Sequence, residues 1–209
     1  MKKSKGVSLL LGKTHMMVGI AATLTVTQPK SITELILAVG AGSVGALISD
    51  IDVGTSSSHK DADKVTLLTV GLVGAVLLSD YFFDTRIAQR ILSDSGVMRM
   101  VSGCLIFVLA CAFGKEQPHR SFMHSFLALL ILDFALGMIL PAIVPYFTVG
   151  FLSHVAIDLF NMKKVRLFYP MKDGVCLGLC RAKGVVNNAC FAVGCAVSAL
   201  EAALVLLRM

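Results

Sequence analysis

SFLALLILDFALGMILPAIVPYFTVGFLSHVAIDLF, residues 125–160, decides the fold. Two apolar runs, 125–142 and 144–160, are separated only by the Pro141 to Pro145 stretch, a tight turn that makes them antiparallel neighbours. Their lengths approach the roughly 20 apolar residues that a helix needs to cross the hydrocarbon of a bilayer. Near the end of the second run, in SHVAID, His154 and Asp158 set two potential metal ligands one helical turn apart where hydrocarbon is expected. Such a pair is expensive in lipid and therefore marks a functional site.

The rest of the chain repeats this pattern. Further apolar segments fall at about 16–28, 32–49, 65–83, 97–113 and 186–207, and the first and sixth of the seven are short. The chain has 209 residues, 56% of them hydrophobic and 15% charged, and a mean hydropathy of +0.81, outside the range of soluble globular domains. It reads as an all-α polytopic membrane helix bundle with six to seven transmembrane or re-entrant helices. Residues 1–209 form one integral membrane domain, and 161–185 form a basic loop before the last helix. Gly40, Ala41, Gly42, Gly45 and Ala46 in the second segment and Gly71 and Gly74 in the third are read as packing positions where helices approach closely.

Seven crossings with a cytoplasmic N-terminus put residues 1–15, 50–64, 114–124 and 161–185 inside. Those stretches hold Lys2, Lys3, Lys5, Lys13, Lys60, Lys64, Lys115, Arg120, Lys163, Lys164, Arg166, Lys172, Arg181 and Lys183. Lys30, Arg86, Arg90, Arg99 and Arg208 fall outside, so the bias is fourteen to five. Residues 84–99, with three of those arginines, fit either a loop or a surface helix. The net charge of +6 thus follows from membrane sidedness and needs no nucleic acid. MKKSKGVSLLLGKTH starts like a signal peptide, but Lys13 and His15 replace a small-residue cleavage site, so the segment is expected to be retained. The six cysteines contain no CxxC. Cys176 and Cys180 are spaced CxxxC with no His nearby in sequence, and the others read as small hydrophobes.

In this topology His15 opens the first helix, Asp50 and Asp52 of SDID close the second, His119 and His124 of HRSFMH open the fifth, and His154 and Asp158 close the sixth. Seven candidate ligands from four segments reach one level at the cytoplasmic face. Imidazole with carboxylate suits zinc, with manganese or iron as other fits. His119 and His124, five apart, do not share one helical stripe, so one can ligate while the other orients a ligand or shuttles a proton. Both Asp50 and Asp52 can approach an ion if the helix ends at SDID. Arg120 offers a fork for a phosphate oxygen. His59, in SSSHKDAD, reads as a solvated loop residue, and Asp80, Asp133 and Glu201 stand in or near hydrocarbon. No P-loop, no GxGxxG after a strand and no GxSxG elbow is present, so Ser121, Ser125 and Ser153 make a serine hydrolase weaker than metal-activated water.

Four blocks carry a family resemblance: Thr14–His15 with Gly19; SDID at 49–52 with Ser56; HRSFMHS at 119–125; and GFLSHVAIDLFN at 150–161 followed by RLFYP at 166–170. Together they resemble the YdjM-type bacterial inner-membrane proteins, described as membrane-bound metal-dependent hydrolases and distantly similar to the zinc-dependent phospholipase C and P1 nuclease group. The family's PDID stands here as SDID, and the stretch after Asp158 reads LFNMKKV where a small or Gly-containing one is usual. The resemblance implies a multi-pass inner-membrane hydrolase acting on a phosphodiester or phosphomonoester. The expectation is a site in which His15, Asp52, His124, His154 and Asp158 hold zinc, Asp50 orients water or bridges ions, and Arg120 with His119 stabilises the oxyanion or protonates the leaving group. Membrane lipids are the expected partners, with a lipid phosphate as substrate. The alternatives are a transporter or other non-enzymatic protein using the polar cavity for metal or protons, and a metal-stapled structural or envelope-stress protein. The oligomeric state stays open.

Overall fold

The computed structural model describes residues 7–54, 56–179 and 185–208, with side chains from residue 12 onward except at 57 and 58. Lys2, Lys3, Lys5, Cys180, Arg181 and Lys183 lie outside the described residues. The helices are α1 (Val7–Thr27), α2 (Ile32–Ile48), α3 (Ser57–Phe83), α4 (Ile87–Ser93), α5 (Ser95–Lys115), α6 (Phe126–Ile139), α7 (Val144–Phe160) and α8 (Val185–Leu207). Among the described residues the one extended pairing is an isolated bridge between Val165 and Val175. The chain is the all-α bundle its hydropathy predicts.

Local chemistry sets many of the helix ends. Ser31 accepts the backbone N–H of Glu34 at the start of α2, Asp94 accepts those of Gly96 and Val97 at the start of α5, and Ser125 accepts that of Ala128 at the start of α6. Each satisfies N–H groups that the first helical turn leaves unpaired. Asp80 does the same for α4, accepting from the N–H groups of Ile87 and Ala88 at 2.7 and 2.8 Å. The uncertain stretch at 84–99 therefore contains a short helix braced from α3.

Among the described residues, five segments are long and apolar enough to cross a membrane: Ile32–Asp52, His59–Phe83, Ser95–Lys115, Pro141–Phe160 and Val185–Leu207. The 14 residues of α6 extend about 21 Å at 1.5 Å per residue, short of the roughly 30 Å hydrocarbon. α6 and α7 form a hairpin through the 3-10 turn Pro141–Ile143, so their free ends share one face whether or not α6 reaches the other.

The expected start of the first helix at 16 is corrected to Val7, because the apolar run before Lys13 continues into the same helix. His15 is therefore two turns inside α1 and does not open it.

α1, α2 and α7 form the centre, α8 lies along α1, α5 pairs with α6, and α3 leans on α5, α4 and the turn after α2. The centre closes through glycines. A Cβ on Gly150 of α7 would collide with the Gly42 carbonyl of α2, one on Gly45 with the Phe147 carbonyl of α7, and one on Gly19 of α1 with the Ala46 side chain. These are the close approaches expected of small residues between membrane helices. Gly71 and Gly74 depart from that expectation, as does Gly40: a Cβ there would meet nothing within 4 Å. The α3 glycines face away from the bundle because α3 is peripheral.

The segment after α7 is more ordered in its pairing than a plain loop. Leu177 N–H donates to the Leu159 carbonyl at 2.7 Å, Leu179 N–H to Phe160 at 3.0 Å, and Arg166 N–H to Arg120 at 3.0 Å, so 161–179 folds back over the end of α7 with Val165 fully buried.

Candidate metal centre

The polar side chains gather at one end of the α1–α2–α7 centre. After Ile48 the chain tightens into a 3-10 turn, Ser49–Asp52. At about three residues per turn, the carboxylates of Asp50 and Asp52 point roughly 120° apart. Asp50 turns toward His154, with Oδ1 3.7 Å from Nε2. Asp52 turns toward the α5–α6 connection, where it accepts from His119 Nδ1 at 2.8 Å and the Arg120 backbone N–H at 3.2 Å, with His124 Nδ1 at 3.7 Å.

Asp158 lies at the centre. Its Oδ2 is 3.2 Å from His124 Nε2 and 4.0 Å from His154 Nε2, and its Oδ1 is 4.0 Å from His15 Nε2. The rings of His15 and His154 stack with centroids 4.0 Å apart. His154 Nδ1 donates to the Ala46 carbonyl at 2.6 Å, which fixes the tautomer and leaves Nε2 as a lone pair facing the cluster. His119 is oriented by Asp52 in the same way.

Three overlapping sets of ligand atoms each lie within 4.8 Å of one another: His15, Asp50 and His154; Asp50, His119 and His124; His124, His154 and Asp158. The structure thus brings together all seven candidate ligands. It distributes them unevenly: Asp50, its side chain one-fifth exposed, belongs to two of the sets, whereas Asp52, its side chain buried, orients His119 and belongs to none. The sequence offers both aspartates as ligands, with Asp50 orienting water or bridging ions; the turn sets Asp50 among the imidazoles and Asp52 against His119.

The buried polar atoms also speak to occupancy. His15 Nδ1, His124 Nδ1 and Nε2, and His154 Nε2 are buried without a hydrogen-bond partner; the 3.2 Å approach of His124 to Asp158 lacks hydrogen-bond alignment. Buried imidazole nitrogens are ordinarily satisfied, and an ion is one of the few groups that satisfies several at once. The donor set of imidazole nitrogen and carboxylate oxygen fits a divalent ion of the zinc type.

Arg120 is not the open phosphate fork that the sequence suggests. It is 7% exposed, and its guanidinium donates to Asp158 Oδ1 at 2.8 Å and to the Lys163 carbonyl at 2.9 Å. Its backbone, at φ 66°, sits in the left-handed region, a conformation that persists only where the surroundings fix it. Here Asp52 holds its N–H, and its carbonyl accepts from Arg166. Arg120 is a clamp that orients Asp158.

His119 is the most exposed group of the cluster. Burial alone would lower its pKa, but the hydrogen bond and charge of Asp52, with the charge of Asp50, outweigh that and raise it above the ordinary histidine value.

Sequence reasoning missed His59. It is not a solvated loop residue: it lies in the first turn of α3, and its Nδ1 donates to the Ile51 carbonyl at 2.7 Å. Ser56 Oγ donates to the Asp50 carbonyl at 2.7 Å. Together they brace the Ser49–Asp52 turn, and only the Ser56 that follows SDID hinted at this. Ser121, Ser125 and Ser153 each donate their hydroxyl to a backbone carbonyl, of Pro118, Phe122 and Gly150, so each hydroxyl has a structural use.

A multi-helix membrane bundle with one buried His/Asp cluster at one end is the class that fold and site define. The chain belongs to the YdjM inner membrane protein family, whose family model matches residues 10–208. No curated protein and no solved structure matches it.

Proposed function

We propose that the protein is a membrane-embedded, metal-dependent hydrolase that acts at the cytoplasmic surface of the inner membrane on a phospholipid or another phosphate ester. The observation that carries this reading is the pair of buried, unpartnered nitrogens His124 Nε2 and His154 Nε2 facing the carboxylates of Asp50 and Asp158, with the buried His15 ring stacked on His154. These five residues would hold zinc, or manganese or iron in its place, with His119 at the exposed edge.

When bound, such an ion supplies Lewis acidity toward a phosphoryl oxygen and makes water more acidic. The side chains do the rest. Arg120 holds Asp158 in place, and Ala46 and Asp52 set the tautomers of His154 and His119. His119, exposed and with a raised pKa, is suited to deliver a proton to the leaving oxygen. The cytoplasmic assignment rests on charge: Lys13, Lys60, Lys64, Lys115, Arg120, Lys163, Lys164, Arg166 and Lys172 accompany the cluster's end of the bundle.

A transporter would be better supported by ionisable groups free along the helices. Glu201 instead accepts from Thr25 at 3.3 Å and Asp80 caps α4, which favours one closed cluster over a path; Asp133, which accepts from Thr148 through Oδ2 while its Oδ1 is buried without a partner, stands alone in mid-bundle among the described residues.

The test is release of phosphate-containing headgroup from a mixed phospholipid extract by detergent-purified protein with and without chelator. Turnover abolished by chelator and restored by zinc is expected. Chelator-insensitive turnover, or none with metal restored, overturns the reading.

A further inference from the structure

Beside the Ser49–Asp52 turn lies a cavity of about 360 Å³ between α2, α3 and α5. That is within the roughly 300–1,000 Å³ of small-molecule sites. Its walls are Leu47 and Ile48 of α2, Ala62 and Val65 of α3, and Phe107 and Val108 of α5. Ile51, between the two site aspartates in sequence, also lines it, so this one buried residue belongs to the cavity while its neighbours belong to the metal centre.

Two features describe what fits. The lining is apolar apart from Asp61 and Thr66, and Asp61 stands exposed at the polar end of α3, paired with Lys64 at 3.3 Å, beside the ion pair of Lys115 with Asp63. Polarity thus falls from a charged rim to a hydrocarbon interior, which matches an amphiphile. The outer face of α3 is also apolar and lipid-facing, with Leu67 and Leu68 more than 70% exposed, so the slot adjoins the hydrocarbon of the bilayer. An apolar slot stays dry, and left empty its lining loses dispersion partners that a chain from the bilayer supplies.

We propose that the slot between α2, α3 and α5 binds one acyl chain of a bilayer phospholipid, its polar end at the rim beside Asp61 and the Ser49–Asp52 turn. As a lipid site it stands on this cavity alone; as the chain-binding subsite of the metal centre it rests on the hydrolase reading. It would explain how a lipid substrate is registered: the tail packs behind Ile51 and the headgroup lies level with Asp50.

The experiment measures phospholipid retained by the full-length protein, counted by native mass spectrometry after exchange into fresh detergent, together with metal content. Wild type should retain about one phospholipid per chain. Ala62→Phe and Val108→Phe, which fill the slot, should reduce that at least tenfold with metal unchanged, and Leu72→Phe on the outer face of α3 should not. Equal retention by the filled variants overturns the proposal, as does a change in their oligomeric mass with lipid unaffected, which would make the slot a contact between copies. Should both variants fail to fold, wild type in phosphatidylethanolamine and phosphatidylglycerol vesicles carrying a phospholipid with a photoreactive acyl chain decides the matter. Adducts within 44–51 and 107–111 support the slot, and adducts confined to the outer face of α3 overturn it. Metal-free wild type whose lipid is lost in the filled variants sinks the hydrolase reading and leaves the slot standing.

Discussion

α2 and α3 carry spans of the same mean hydropathy, 1.8, and both are punctuated by glycine, yet one is the centre of the molecule and the other its rim. More than a quarter of the α2 span is buried and none of the α3 span is. Hydropathy decides that a segment can cross a bilayer but not where it stands among its neighbours. What separates the two helices is the partner surface. Gly42 and Gly45 of α2 meet backbone and small side chains of α1 and α7, whereas Gly71 and Gly74 of α3 meet nothing within 4 Å. The centre also ends in the cluster, and α3 serves it only from outside, through His59 and Ser56.

The comparison predicts a graded set of effects. Asp158→Ala acts at the centre, leaving the buried Arg120 without its carboxylate. Breaking a buried ion pair costs about 3–5 kcal/mol, and thermal unfolding in detergent should show a loss of that order together with loss of bound metal. Gly150→Leu forces α7 off α2 and should destabilise by about 1–3 kcal/mol or more, while Gly71→Leu should stay within about 0.5 kcal/mol. Equal effects at these two glycines would erase the distinction between centre and rim. Arg120→Lys keeps the charge but not the two-armed clamp on Asp158 and Lys163, and metal titration should show about 10–100-fold weaker binding. Ser125→Ala removes the α6 cap and the hydroxyl's bond to the Phe122 carbonyl, so it should cost about 1–2 kcal/mol in unfolding and leave metal content and turnover intact. Loss of turnover there would reopen a serine nucleophile.

Much of this was legible in the sequence because it depends on local pattern. The seven apolar runs, the proline-bounded hairpin and the His154–Asp158 spacing follow from periodicity and length. The meeting of TH, SDID, HRSFMH and SHVAID followed from counting crossings. What stayed hidden depends on tertiary partners or on backbone detail. The separation of Asp50, which faces His154, from Asp52, which holds His119, comes from the 3-10 tightening of their turn, and no spacing rule separates that from a frayed α-helix. Arg120 read as a free fork because Lys163 and Asp158 are distant in sequence. His59 read as solvated because its acceptor is the carbonyl of Ile51, eight residues away across a turn. The start of α1 was placed late because Lys13 and His15 break the apolar run without breaking the helix.

The central claim is that His15, Asp50, His124, His154 and Asp158 form one divalent-metal centre. Elemental analysis of detergent-purified wild type beside Asp158→Ala and the distant Asp133→Asn tests it most directly. The account predicts stoichiometric divalent metal in wild type and Asp133→Asn and its loss in Asp158→Ala. Metal-free wild type that binds no added zinc, or an Asp158→Ala variant that keeps its metal, would contradict it.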